Sequence, residues 1–363
     1  MDKNRNKYEI KKEFTKKIAR DVLPDLKVLE AYRIEIYKRI KRNSILFKII
    51  FCLTIVASTY FVAIKQTNPL PFFLILIFGM PFLYKTLCGK HKLMEKGFCL
   101  NLKQQYLNKI LEAFGNIKWF NNSNILSEFE IRKSELLGQF SIRNADDEFI
   151  GKYNDIEFKI SEVNLKQEEY EKGKKKVHTI FEGIILQLAL ENPFKTRIEI
   201  YEKYDFATKH NNGILQFVAI VFGILGLYAL IKEFNIKAFI VCISTFWLIF
   251  WVLKYQKDRR VVLEDVEFDK RFAVSSDDQI ESRCILTPAF MERFLKLKRF
   301  FNADCINCAF YENKIMFAFE TNKNIFELGS SDKSLLDAEN FKNLFDEINA
   351  VYEIIDCLKL EVK

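Results

Sequence analysis

Four long apolar segments constrain the fold of this chain more than any other feature of its sequence. They comprise residues 45–64, 70–87, 214–231 and 236–253. A helix needs about 20 predominantly apolar residues to cross the hydrocarbon core of a bilayer. Because only a few residues join the members of each pair, each pair must form a hairpin. The sequence therefore predicts two transmembrane helical hairpins, with core helices of a soluble protein as the alternative.

Basic residues flank the outer ends of both hairpins and predict their orientation. The residues expected to contact lipid head groups are Lys38, Arg39, Lys41, Arg42, Arg259 and Arg260. Lys and Arg are enriched on the cytoplasmic side of membrane segments, and each one near an anionic surface contributes about 1 kcal/mol of attraction. We therefore expect a multi-pass protein with both termini in the cytoplasm. For the N-terminal basic residues, a solvated helix packed on the globular part is the alternative.

The parts outside the hairpins predict one cytoplasmic α+β domain with an antiparallel sheet. Residues 1–44 form a basic cytoplasmic helical segment, and residues 45–88 form the first hairpin. Residues 89–213 supply a helix and the first part of the domain, residues 214–255 the second hairpin, and residues 256–363 the second part of the same domain. Because a hairpin returns the chain to the side from which it entered, strands before and after it can join one sheet.

Alternating apolar residues predict the strands of this domain. Ile156, Phe158 and Ile160 follow an Asn154-Asp155 turn, and a shift in the pattern predicts a bulge near Ser161. Further strands are expected at residues 179–190, 197–201, 268–275, 279–286, 305–311 and 315–319, with a mixed-charge loop at 168–176.

Local signals also predict where helices begin or break. A helix is expected at residues 93–114, and Pro24 predicts a break or a kink in the N-terminal helix. Thr287 directly before Pro288 predicts the start of a helix. Ser334, with Asp337 three residues later, predicts the start of the last helix.

Few residues point to chemistry. The net charge of +8 suits the flanks of membrane segments, and no nucleic-acid-binding motif accompanies it, so we expect no nucleic-acid partner. None of the three histidines, His91, His178 and His210, sits at a plausible metal-ligand spacing from a cysteine or carboxylate, and Cys305 and Cys308 are expected on opposite faces of a strand. We therefore predict no cofactor, metal site or catalytic residue, and we expect the eight cysteines to be free thiols in a reducing compartment.

One charged cluster is the candidate interaction surface. Its residues are Glu264, Asp265, Glu267, Asp278, Glu281 and Arg283. Paired carboxylates perform acid–base chemistry when a cleft shifts their pKa values. Basic residues interleave with these carboxylates, which is more typical of a salt-bridged surface.

The same stretch resembles a known family. Residues 263–268, 272–274, 278–283 and 286–293 read LEDVEF, FAV, DQIESR and LTPAFMER. With the upstream elements Phe181-Glu182-Gly183 and Asn192-Pro193-Phe194-Lys195, they are similar to the uncharacterised bacterial membrane-protein family catalogued as domain of unknown function three-one-three-seven. The resemblance implies a pair of spans and a cytoplasmic domain in a bacterial inner membrane, and it brings no activity or catalytic residues. The second hairpin, Ser282 and Cys284 depart from the family pattern.

The sequence therefore predicts a membrane-anchored, cytoplasmic-facing binding or scaffold module rather than an enzyme. Its expected partners are the lipid bilayer and another membrane or cytoplasmic protein, with a homo-oligomer as a further form. One alternative is a membrane-associated enzyme that acts on a lipid or an acidic metabolite through the carboxylates. A component of a transport assembly is the other, although the apolar segments have almost no ionisable groups at depth.

Overall fold

The computed structural model describes residues 7–63, 70–171, 174–203, 259–323, 325–330 and 332–361, and it shows an α+β protein. The predicted second hairpin and the short loop of the first lie outside the described residues. The chain divides into two compact units, Met1–Trp119 with Phe326–Asn349, and Phe120–Ile325 with Ala350–Lys363. The helix predicted at residues 93–114 is part of the first unit.

The first unit begins with one nearly continuous helical stretch. Helix α1 (Lys7–Lys17) passes through a π-helical turn (Ile18–Val22) into α2 (Leu23–Ala63). Proline has no N–H to donate back along a helix, and the π-helical turn lies directly before Pro24. The break expected at Pro24 is therefore a local widening of the helix and not its end.

The two N-terminal apolar segments form an antiparallel helical pair. The second of them consists of α3 (Leu70–Leu74), a π-helical turn (Ile75–Gly79) and α4 (Met80–Cys88). Three contacts show that this segment is antiparallel to α2, because its residue numbers fall as those in α2 rise. Asn43 Nδ2 donates to the Leu87 carbonyl oxygen (3.2 Å), the Phe47 and Tyr84 ring centroids lie 5.3 Å apart, and Thr54 Oγ1 lies 3.9 Å from Met80 Sδ.

The rest of the first unit is helical and has an aromatic core. Helices α5 (His91–Leu102) and α6 (Asn108–Leu111) confirm the predicted helix at 93–114. The rings of Phe14, Phe114 and Phe345 lie 5.3–5.4 Å apart, centroid to centroid. Phe345 belongs to the C-terminal helix, Ala338–Glu361.

A buried carboxyl group lies in the same unit. Glu347 accepts a hydrogen bond from the Phe326 N–H (3.1 Å), and the neighbouring ion pair joins Lys103 to Glu327 (2.7 Å). Burial raises the pKa of Glu347 to about 8, although the Phe326 hydrogen bond acts in the opposite direction.

The strands of the described residues form one nine-stranded antiparallel sheet. Its strands are β1 (Asn116–Asn121), β2 (Ile142–Tyr153), β3 (Ile156–Glu171), β4 (Lys174–Ala189), β5 (Ile198–Glu202), β6 (Arg260–Val261), β7 (Phe272–Ser276), β8 (Cys305–Tyr311) and β9 (Lys314–Glu320). Their order is β1-β2-β3-β4-β9-β8-β5-β7-β6. Strands from both sides of residues 214–255 therefore share one sheet.

Apolar side chains cover both faces of this sheet. On one face, helix α10 (Pro288–Phe300) packs Phe294 against Phe317, with ring centroids 6.1 Å apart. On the other face, the segment that contains α7 (Glu128–Lys133) covers strand residues. The buried cluster on that face includes Leu126, Ile131, Leu136, Phe140, Val163, Leu165, Phe181 and Ile185.

The two-sided core explains why a bulge was predicted near Ser161. Strand β3 buries Phe158 and Ile160 on one face and Val163 and Leu165 on the other, so the shift in pattern marks a change of covered face. The bulge predicted near Ser161 is wrong for β3, because its register with β4 is unbroken there. The irregularity lies in the partner strand, between Ala145 and Glu148.

The loop expected at residues 168–176 is also wrong. Both strands of the β3–β4 hairpin continue through this region, up to Glu171 and from Lys174. Glu169 lies opposite Lys176 and Glu171 opposite Lys174 across the hairpin. The diagonal neighbours Lys175 and Glu168 form an ion pair (2.6 Å). Such cross-strand pairs stabilise a two-stranded ribbon even where neither face is buried.

Of the two strands expected directly after the second hairpin, the first is a strand in its second half only and the second is a helix. Residues 268–275 divide into α8 (Val266–Arg271) and β7, and residues 279–286 form α9 (Gln279–Ile285). Thr287 caps α10 as predicted, and the strands at 305–311 and 315–319 are confirmed. The last helix begins at Ala338 and not at Ser334, because the Asp337 carboxylate accepts the Glu339 N–H (3.0 Å).

Gly183 allows the close approach of β4 and β9 at the centre of the sheet. Its φ is +153°, and a Cβ atom at this position would lie 2.0 Å from the Phe319 carbonyl oxygen. A backbone atom cannot move aside as a flexible side chain can. The glycine of the Phe181-Glu182-Gly183 element is therefore a packing requirement of the β4–β9 pair.

Candidate functional site

The antiparallel helical pair of the first unit presents an exposed apolar surface. Six of its large exposed side chains are Ile49, Leu53, Val56, Phe73, Phe78 and Phe82, and Phe78 is 70% exposed. Among the described residues, one helical stretch, Lys7–Val62, is long and apolar enough to cross a membrane, and none of its most apolar window is buried. In water, contiguous apolar patches on a single chain rarely exceed a few hundred Å². This surface is therefore a candidate membrane-facing surface.

The four basic residues predicted before the first span lie at one end of this surface. Lys38, Arg39, Lys41 and Arg42 are all exposed on α2, in the turns before the first apolar residue. Arg39 pairs weakly with Glu35 (3.4 Å), and Lys41 lies over the Tyr37 ring (5.6 Å). The side chains are therefore free to extend toward anionic groups outside the protein.

Two acidic residues of the predicted interaction surface are helix caps. The Asp265 carboxylate accepts the N–H groups of Glu267 and Phe268, both at 2.9 Å, at the start of α8. The Asp278 carboxylate accepts the N–H groups of Ile280 (2.8 Å) and Glu281 (3.0 Å) at the start of α9. An aspartate at this position satisfies N–H groups that the helix leaves unpaired.

Glu281 connects two of the family-like motifs. Its Oε1 accepts the N–H of Lys195 (2.9 Å), which ends the Asn-Pro-Phe-Lys turn. In the same turn, the Phe194 N–H donates to the Glu312 carbonyl oxygen (2.6 Å), and the Phe194 ring lies 5.3 Å from Phe310. The motif residues therefore hold a turn against the sheet.

The other members of the acidic cluster lie at the surface. Glu264, Glu267 and Arg283 are exposed, and Glu267 pairs with Arg271 one helical turn away (3.2 Å). The two arginines expected at lipid head groups, Arg259 and Arg260, pair with Asp277 (2.9 Å) and Asp269 (3.7 Å) respectively. The cluster is thus a mixed-charge surface built around two capped helices, in which Asp265, Asp278 and Glu281 accept backbone N–H groups.

The structure also contains a buried charge cluster that the sequence did not reveal. The side chains of Arg143 and Glu148 form an ion pair and are 5% and 0% exposed. Glu148 further accepts the Ser123 N–H (2.7 Å) and the Ser161 hydroxyl (2.9 Å). Burial alone would raise the pKa of Glu148, but the Ser161 hydrogen bond, the Arg143 charge and the Ser123 N–H together lower it.

The sequence does not indicate this cluster, because Arg143 and Glu148 belong to a run of polar and charged residues in β2. The register irregularity between Ala145 and Glu148 lies at this point of the strand. Irregularities of this kind redirect side chains, so an alternating pattern assigns these residues to solvent. Residue type gives no signal either, because residues 143–148 (RNADDE) are mostly of types that strands disfavour.

The cysteines and histidines do not converge among the described residues. Cys308 is buried and Cys305 half-buried in β8, and burial raises the pKa of Cys308. His91 lies 3.2 Å from Asn43 at the base of the helical pair, whereas His178 lies in the β3–β4 hairpin. His210 lies outside the described residues. No group of three or more potential metal ligands occurs in the described part of the chain.

Comparison with known proteins gives one match. A family model described as "Protein of unknown function (DUF3137)" matches residues 179–360, which is about half of the chain. This is the family indicated by the sequence motifs, and the match begins in β4 and includes Gly183, the turn and both capped helices. Neither the curated proteins nor the solved structures give a match.

Proposed function

The chain belongs to the DUF3137 family, whose description assigns no activity, and we propose that the protein is a membrane-anchored module that binds a protein partner through its sheet-containing unit. The observation that carries the proposal is the exposed apolar surface of the helical pair, with Lys38, Arg39, Lys41 and Arg42 at one end. A bilayer accommodates both features, since hydrocarbon covers the apolar side chains and anionic head groups attract the basic ones.

The sheet topology supports a second hairpin formed by residues 214–255. This segment connects β5 to β6, and β7 lies between these two strands. Because both strands belong to one sheet, the chain returns after residues 214–255 to the sheet that it left, as a hairpin through a membrane requires. In this arrangement all described strands lie on one side of the membrane, and the basic flanks favour the cytoplasmic side of a bacterial inner membrane.

A binding role accounts for the signature segment better than catalysis does. The carboxylates of Asp265 and Asp278 accept helix N–H groups, and Glu281 holds the Lys195 turn. Groups engaged in this way are not available to exchange protons with a substrate. The exposed charges of Glu264, Glu267 and Arg283 remain to contact a partner.

Cysteine labelling of the native chain tests the anchor. Cys52, in the apolar part of α2, and Cys284, on α9, are both exposed in the protein itself. In inverted membrane vesicles, a membrane-impermeant maleimide should modify Cys284 and leave Cys52 unmodified, with mass spectrometry of peptides as the readout. Detergent should then make Cys52 reactive.

Sealed vesicles of the opposite orientation are the matched control, and there neither cysteine should react. Modification of Cys52 at the rate of Cys284 in sealed inverted vesicles would overturn the anchor. Modification of Cys284 from the outer side would overturn the cytoplasmic orientation.

A further inference from the structure

Two lysines lie inside the apolar segments of the helical pair. Lys48 is the fourth residue of segment 45–64, and Lys85 is the third from the end of segment 70–87. Both side chains are exposed, and among the described residues neither takes part in an ion pair or a side-chain hydrogen bond. A lysine at the end of a membrane span extends its charged group toward the head groups while its stem stays among apolar groups. The two ammonium groups are therefore expected at the level of the lipid phosphates.

The contacts of the helical pair place the two lysines on the same side of it. The rings of Phe47 and Tyr84 meet with centroids 5.3 Å apart, and each lysine is the next residue along its own helix. A step of one residue turns the side chain by about 100° around the helix axis. Because the two helices are antiparallel, the steps to Lys48 and to Lys85 turn toward the same side of the pair. The two Cα atoms differ in depth by only about 3 Å, since each step also rises by about 1.5 Å.

The spacing of the helices suits an anion held between the two ammonium groups. Packed helix axes lie about 8–10 Å apart, and each lysine has a flexible four-carbon stem with a compact charge at its end. Two such stems, one from each helix, can bring both ammonium groups to a single phosphate. We call Lys48 and Lys85 the lysine pair.

The charges of the helical pair are of one sign. In the sequence no acidic residue occurs between Glu35 and Glu95, whereas lysines and arginines recur throughout this stretch. Glu35 itself pairs with Arg39 (3.4 Å). Lys41, two helical turns before Lys48 on the same side of α2, is exposed as well. An anion at the lysine pair is therefore attracted without a competing carboxylate from the helical pair.

Apolar side chains continue from the lysine pair along the membrane-facing surface. Phe51 lies about one helical turn beyond Lys48 and Ile55 two turns beyond it, on the same side of α2, and they are 37% and 39% exposed. Cations followed directly by exposed apolar groups match a molecule that has an anionic head and a hydrocarbon tail. A free phosphate ion would contact the cations alone.

We propose that the lysine pair binds the phosphate of one anionic phospholipid, whose acyl chains lie along Phe51 and Ile55. The inference rests on the proposed function, because it requires the helical pair to lie in a bilayer, and it adds a defined lipid as a ligand. This binding differs from the general attraction of the basic residues before the first span to a membrane surface, since its two cations come from two helices and meet at one phosphate.

Lipid retention by the full-length protein in mild detergent tests the site. Native mass spectrometry counts the lipids bound after addition of phosphatidylglycerol or, in a parallel sample, of phosphatidylcholine. The wild type should retain one phosphatidylglycerol at a concentration on the order of tenfold below that needed for phosphatidylcholine. Lys48→Gln/Lys85→Gln should remove this preference. Lys48→Arg/Lys85→Arg, which keeps both charges, should retain it.

Lys11→Gln/Lys12→Gln is the matched control. It removes the same charge from two exposed lysines of α1, and Lys12 lies about 50 Å of helix before Ile45. Its lipid preference should equal that of the wild type. Circular dichroism checks that each variant keeps its helical content, and the comparison of the two lipids on the wild type tests the site without any substitution.

The outcomes separate this inference from the proposed function. Equal retention of the two lipids by the wild type, or an unchanged preference in Lys48→Gln/Lys85→Gln, overturns the lipid site while a protected Cys52 still supports the anchor. Displacement of phosphatidylglycerol by an equal concentration of inorganic phosphate also overturns it, because the ligand is then the free anion. Rapid labelling of Cys52 in sealed vesicles overturns the anchor, and the lipid site with it.

Discussion

The buried Arg143–Glu148 pair predicts a large and specific loss of stability on Glu148→Gln. The substitution keeps the size of the side chain and leaves one oxygen, which can accept from the Ser161 hydroxyl, now bound to Oε1, or from the Ser123 N–H, now bound to Oε2, but not from both. It removes the negative charge beside Arg143, whose guanidinium remains ionised at any accessible pH and is nearly inaccessible to water. Removal of one partner of a buried ion pair costs about 3–5 kcal/mol. We expect the lower end of this range, because the amide oxygen still accepts a hydrogen bond.

Hydrogen exchange of the full-length protein measures this loss where it arises. A cost of about 3 kcal/mol corresponds to an increase of roughly 100-fold in the opening equilibrium, since each 1.4 kcal/mol is tenfold. Peptides from β2 and β3 should therefore exchange about 100-fold faster in the variant at pH 7. Glu128→Gln is the control, because Glu128 is half-exposed and lies 3.7 Å from Arg132. Its loss should cost less than about 1 kcal/mol.

The pH dependence of stability independently checks that the negative charge of Glu148 stabilises the fold. Because the folded state lowers the pKa of Glu148 below its ordinary 4.5, its charge stabilises the fold above pH 4.5, and this stabilisation disappears as the pH falls through the folded pKa. The difference between wild type and variant should therefore shrink on acidification below pH 4.5. Exchange within threefold of the wild type at pH 7 would refute the reasoning.

Three further predictions follow from single residues. Gly183→Ala should cost on the order of 3 kcal/mol, seen as a lower midpoint of urea unfolding, because its Cβ would meet the Phe319 carbonyl oxygen. The folded state binds the Glu347 proton more tightly than the unfolded chain does, so the wild type should lose stability as the pH rises from 4.5 to about 8. Glu347→Gln should not show this loss, and Tm measured between pH 5 and 9 tests the difference. Asp278→Ala should cost about 1 kcal/mol through loss of the cap, whereas Asp277→Ala, with the same change of charge, should cost less in the same unfolding assay.

A specific result would contradict each of these three predictions. Gly97→Ala introduces the same methyl group at a helical position with open space around it, so equal losses at positions 97 and 183 would contradict the close-approach argument. A Glu347→Gln variant that keeps the wild-type slope of Tm against pH would place the titration elsewhere. Equal losses for Asp277→Ala and Asp278→Ala would show that charge, and not the cap, is the important property.

The sequence predicted the features that depend on local pattern. The helical character of residues 45–63 and 70–87, the Asn154-Asp155 turn and the cap at Thr287 follow from hydropathy and residue type, and each is present. The sharing of one sheet by strands on both sides of the insertion also followed, because a hairpin returns the chain to the same side. These features need no knowledge of which element packs on which.

The errors occur where tertiary packing decides the conformation. Residues 279–286 alternate as a strand would, yet the Asp278 carboxylate and the packing of Ile285 give a short helix. In β3 the covered face changes along the strand, which sequence periodicity cannot distinguish from a bulge. The acidic residues of the candidate surface were noticed because they cluster, but their capping role depends on where α8 and α9 begin.

The position of β5 has a consequence for the order in which the protein is made. Both of its neighbours, β7 and β8, are synthesised after residues 214–255. About 70 residues must leave the ribosome between Glu202 and Phe272, which takes several seconds at roughly 5–20 residues per second. During that interval β5 has neither of its partners, although it is almost entirely buried in the finished sheet. The sheet can therefore close around β5 only after residues 214–255 and the two partner strands have been synthesised.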